Sequence, residues 1–109
     1  MLNYTDTHRP ALILAEHYSS KMQAPLFTSF IQGKTDLESS KEAVDVINHF
    51  WVMTELAIAD HEAGRDIQGV TDIEHWMHRL FQKVSGYMIQ HGFGELWQES
   101  IDKQETISY

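Results

Sequence analysis

Residues 36–63 carry apolar side chains in helical phase on two opposite sides, and no other stretch limits the fold as strongly. At about 100° per residue, Ala43, Val46, Ile47, Phe50, Met53, Ala57 and Ile58 share one broad face that reads as core. Val52, Leu56 and Ala59 fall nearly opposite, spaced by four and three, with Asp45, Asn48, His49 and Glu55 around them. A helix with one apolar stripe needs one surface to pack on. A helix with two needs another, supplied either by the same chain or by a different molecule.

The rest of the chain has the same helical period. Residues 7–22 place Ala11, Leu14, Ala15, Tyr18 and Met22 on one face, and Pro10 fits a first turn, where a missing N–H costs nothing. Pro25 opens a short piece that groups Phe27, Phe30 and Ile31 and stops at Gly33. Two Thr-x-x-Glu patterns, Thr35 with Glu38 and Thr71 with Glu74, predict capping boxes at the starts of two long helices. These helices span about residues 36–63 and 72–91, and end at Gly64 and Gly92. A last helix over 95–103 carries Leu96, Trp97 and Ile101 before a polar tail at 104–109. Short linkers between amphipathic helices imply an all-α bundle of four to five helices with antiparallel neighbours, forming one domain over 1–109. Trp51, Trp76 and Trp97 stand one per helix at the borders of the core faces, where indoles serve as core edge or as interface anchors.

Sixteen acidic residues against eight basic ones give a formal charge of −8, too few cations for a nucleic-acid backbone or an anionic membrane. A basic protein surface is the better electrostatic match. With no cysteine, disulfides, thiolate nucleophiles and Fe–S clusters are excluded. The opening residues show no basic segment followed by a long apolar run, and no membrane-length apolar stretch occurs, so a cytoplasmic protein is expected.

Histidines near carboxylates raise the question of a metal or acid–base site. A di-iron carboxylate bundle needs Glu-x-x-His motifs, but Glu55 is followed three residues on by Ile58 and Glu62 by Arg65. His75 and His78 share a face that points away from Ile73, Trp76, Leu80, Val84 and Tyr87. His61 and His91 both lie in core phase in a last turn beside glycine, which favours an imidazolium as helix-end chemistry. Arg65 is placed to offset Asp60 and Glu62, which sit at the unfavourable negative end of the helix dipole. The Gly-Lys-Thr at 33–35 lacks the upstream glycine of a phosphate loop, because Thr28 stands there.

These features imply a non-enzymatic, protein-binding regulator or inhibitor, in the class of anti-activators, anti-sigma factors, immunity proteins and phage inhibitors. No catalytic, cofactor or metal residue is expected. The expected contact residues are Val52, Leu56, Ala59, His49, Glu55 and Trp51, meeting a partner protein with a basic surface or a second copy in a homodimer. The alternatives are a histidine/carboxylate metal protein or small hydrolase, using His61 with Glu62 or His75 with His78, and a small subunit of a larger complex.

Protonating all seven histidines would move the formal charge from −8 to −1. Turbidity should therefore rise on titration from neutral pH toward the isoelectric point near 5.2, and a solution that stays clear there would contradict this.

Overall fold

The computed structural model describes residues 8–67 and 70–107, with side chains up to Gln104. Thr7 and the last two residues of the expected tail lie outside the described residues. Among those described there are five helices and no strand: α1 (Arg9–Met22), α2 (Pro25–Ile31), α3 (Ser40–Glu62), α4 (Ile73–Gln90) and α5 (Gly94–Ile107). None is long and apolar enough to cross a membrane.

The start of α3 lies four residues later than the Thr35 pattern implies. Ser39 is the cap: its hydroxyl accepts the Glu42 N–H at 3.2 Å, while Glu42 Oε1 accepts the Glu38 N–H at 2.9 Å. Thr35 instead hydrogen-bonds the Asp36 carbonyl, and residues 35–38 are not helical. The later of two consecutive patterns wins because Leu37 is drawn into the core. There its N–H donates to Tyr87 Oη at 2.7 Å, and that hydroxyl donates to Asp36 at 3.2 Å. Asp72 rather than Thr71 caps α4, at φ 55°, accepting the His75 N–H at 3.3 Å. A carboxylate is the stronger acceptor at the positive end of a helix, and Glu74 is left exposed. At the other ends, Gly64 (φ 75°) and Gly92 (φ 85°) take the left-handed conformation. That turn lets Arg65 N–H reach the Asp60 carbonyl at 2.8 Å and Phe93 N–H reach Met88 at 2.7 Å. α5 runs on to Ile107, through the first part of what reads as a polar tail.

The inward face of α3 organises the core. α3 touches all four other helices, and Ala43, Val46, Ile47, Phe50, Met53 and Ala57 are buried as the periodicity predicts. Around them pack Leu14 and Tyr18 of α1, Phe27, Phe30 and Ile31 of α2, Leu80, Val84 and Met88 of α4, and Trp97 of α5. Phe50 makes edge contacts with Trp97 at 5.5 Å and Trp51 at 5.1 Å, and Trp51 stacks on Trp97 at 5.6 Å. Trp97 is thus fully interior, while Trp51 and Trp76 are half-buried at its edge.

Beyond Ala57, no α3 residue is buried. Ile58 is 48% exposed and His61 is exposed, so neither belongs to the core. His91, also expected in core phase, is exposed and stacks on Tyr87 at 4.0 Å. This end of α3 is tied to α1. Tyr18 Oη donates to Asp60 Oδ2 at 2.9 Å, Arg65 Nε donates to Asp60 Oδ1 at 3.1 Å, and Lys21 approaches at 3.6 Å. The Tyr18 bond, with Arg65 and Lys21, holds the Asp60 carboxyl below its ordinary 3.8.

Burial, reinforced by that bond to Asp60, pushes the Tyr18 phenol up to about 12 from an ordinary 10.0. Below pH 10 both folded and unfolded chains keep the phenol neutral and its full contribution is present. Between 10 and about 12 the unfolded chain ionises first, so stability is lost as pH rises. Denaturant melts across this range should show a shallower fall for Tyr18→Phe than for the wild type; identical slopes would contradict the lock.

Candidate functional site

The outer face of α3 is uncovered along its length. Val44, Asn48, Val52 and Leu56 follow one another every four residues and Ala59 continues the row after three, so they form a ridge. Val44 is 41% exposed, Val52 45% and Leu56 38%; Ala59 and Glu55 are also exposed. With Ile58, these make four of the five large apolar side chains exposed among the described residues; the fifth is Ile89 of α4. Among the described residues no helix covers this second stripe. Trp51 and His49, at the two margins of the face, are half-buried.

Two depressions flank the N-terminal half of the ridge. One, open and about 480 Å³, lies toward α2 and is lined by Leu26, Lys41, Glu42, Val44, Asp45 and Asn48. The other, about 120 Å³, lies between α3 and α5 and is lined by Val44, Asn48, Trp51, Leu96, Glu99 and Lys103, among others. The indole N–H groups of Trp51 and Trp97 are buried without an acceptor beside this seam. Such orphaned donors cost roughly 1–3 kcal/mol each, so the pair is held there by its stacked apolar area. His49 Nδ1 lies 2.9 Å from the Asp45 carbonyl, which can only accept, so this nitrogen carries the proton. Its ring lies over Phe27 of α2 at 6.2 Å.

Charge is distributed unevenly over the helices. α3 carries five carboxylates against Lys41, and α5 carries four against Lys103. α1 and α4 each carry two bases against one acid. α3 and α5 together therefore hold seven of the chain's eight net negative charges. The even spread of acids along the sequence conceals this segregation.

The Asp60-His61-Glu62 end of α3 does not converge. Asp60 is committed to Tyr18, Arg65 and Lys21, as the position of Arg65 implied. His61 Nδ1 instead pairs with Asp66 at 3.0 Å, and this hydrogen bond raises the imidazole above its ordinary 6.5. Glu62 is exposed, and so are His75 and His78, with His75 edge-on to Trp76 at 4.7 Å. Among the described residues no group of three or more His, Asp or Glu side chains is placed to hold a metal ion. Compared with protein-family models, curated proteins and solved structures, the chain matches none.

Ile58, expected on the core face, is exposed, and Val44, which the periodicity did not single out, belongs to the outer row. Val44 was detectable, since it lies eight residues before Val52 in the same row. Because Leu56 faces solvent, Leu56→Ser should change the unfolding free energy from urea melts by no more than about 0.5 kcal/mol. Phe50→Ala, on the opposite face, should cost about 3–5 kcal/mol. Comparable losses for the two variants would place Leu56 in the core.

Proposed function

We propose that the protein is a non-enzymatic, protein-binding regulator or inhibitor, and that it meets its target through the outer face of α3. The observation that carries this reading is the exposed row of Val44, Val52, Leu56 and Ala59 on the outer face of α3. Exposed apolar side chains scattered singly are ordinary, whereas a contiguous row rimmed by polar residues has the composition of an interface. Trp51, at the margin of the row and stacked on the buried Trp97, provides a rigid aromatic at the contact. His49 and Glu55 complete the rim.

The test is comparative affinity capture from the source cells, with wild type beside a Val52→Glu/Leu56→Glu variant. A partner, or an untagged second copy, should be retained by the wild type and lost with the variant, while the helical circular dichroism of both stays the same. Equal retention by the two proteins would show that this face is not the contact, and unfolding of the variant would show that the stripe is internal.

A further inference from the structure

Resting on the reading of the α3 face as an interface, we infer that its occupant is a basic amphipathic helix. Its apolar row lies along Val44, Val52, Leu56 and Ala59, and its cations face the carboxylates of α3 and α5. The shape of the face is the first argument. α3 has 23 residues and so a length of about 34 Å, with apolar side chains repeating every four and a depression on either side of its N-terminal half. Ridges with that repeat interlock with the grooves of another helix. An extended segment would instead need a free sheet edge, and no strand occurs among the described residues.

Charge is the second argument. Lys41 and Lys103 line the two depressions that meet at Val44, at the N-terminal end of the ridge. From Glu42 to Glu62 α3 contains no Lys or Arg, and Arg65 just beyond is bound to Asp60. The stretch from Val52 to Ala59 is therefore flanked by Glu55 and Glu62 without a cation on the helix to offset them. A partner helix with Lys or Arg beside its apolar row supplies that complement and gains a faster encounter.

The same pattern disfavours a second copy. In a parallel two-fold pair each residue meets its own counterpart, setting Asp45, Glu55 and Glu62 against themselves. In an antiparallel pair, the register that puts Val44 on Leu56 also puts Asp45 opposite Glu55, twice over. Sliding it to bring Lys41 near Glu62 leaves Leu56 on Asn48. Apolar matching and charge matching require different registers, and only a partner with a different sequence satisfies both.

The probe is a synthetic peptide of roughly 18 residues, about five helical turns, with Leu at helical i, i+3, i+4, i+7 spacing and Lys elsewhere. The controls are a scrambled peptide of the same composition and a Leu–Glu peptide of the same pattern. Binding is read from the protein's tryptophan fluorescence and its amide NMR shifts, and self-association from sedimentation equilibrium. The Leu–Lys peptide should bind one to one, with shifts confined to α3 and α5 and affinity falling as salt rises. It should bind roughly tenfold or more tighter than the scrambled peptide, and lose about tenfold on Glu55→Lys/Glu62→Lys and on Val52→Ser/Leu56→Ser. Equal binding of all peptides, or shifts scattered over the molecule, would overturn the inference. A homodimer that dissociates on Val52→Ser/Leu56→Ser would also overturn it, while leaving the α3 face an interface. If the Ser variant alters neither peptide binding nor association, the interface reading fails as well.

Discussion

Every other helix leans on the inward row of α3, and the remaining architecture follows from that packing. Phe50 and Met53 sit at the centre of the row, where Phe27 and Phe30 of α2, Tyr18 of α1, Leu80 and Val84 of α4 and Trp97 of α5 converge. A helix that four others pack against is normally the hidden centre of a bundle. Here α3 is 23 residues long and its neighbours occupy only part of its circumference, so the opposite side stays in water. An apolar row on a helix that is fully engaged on its other side is held rigid before anything binds. That limits the conformational entropy a docking event would have to overcome.

The two ends of α3 are held by side chains from distant parts of the chain. Tyr87 receives the Leu37 N–H just before the helix, and Tyr18 donates to Asp60 in its last turn. Both phenols are raised above their ordinary value, chiefly by burial. Asp60-His61-Glu62, the stretch that most resembles an active site on paper, belongs to this anchoring. Its aspartate faces α1 and Arg65, and its histidine faces Asp66. Glu62 is exposed, as is Glu55.

Helical class, number and core rows were legible because a period of 3.6 residues reports directly which side chains share a face. Phase gives direction, however, and not whether anything lies in that direction. Ile58, placed by phase on the core face, and His61 are both exposed, and no α3 residue after Ala57 is buried. The start of α3 was illegible for a related reason. Two capping patterns follow one another in residues 35–42, and the choice between them is made by Tyr87, fifty residues on from Leu37. The polarity of charge was also hidden, since a sequence cannot say that the two most acidic helices are neighbours. The second apolar stripe, Val52, Leu56 and Ala59, was legible as a row turned away from the core, and all three side chains are exposed.

The account rests on that stripe being open to solvent in the free protein. Methyl-resolved NMR with a soluble gadolinium chelate measures this directly. At low protein concentration, the methyls of Val44, Val52 and Leu56 should broaden as strongly as Ile89, which is 66% exposed, while Val46 and Ile47 on the opposite face stay sharp. Protection of Val52 and Leu56 to the level of Val46, persisting on dilution, would contradict it.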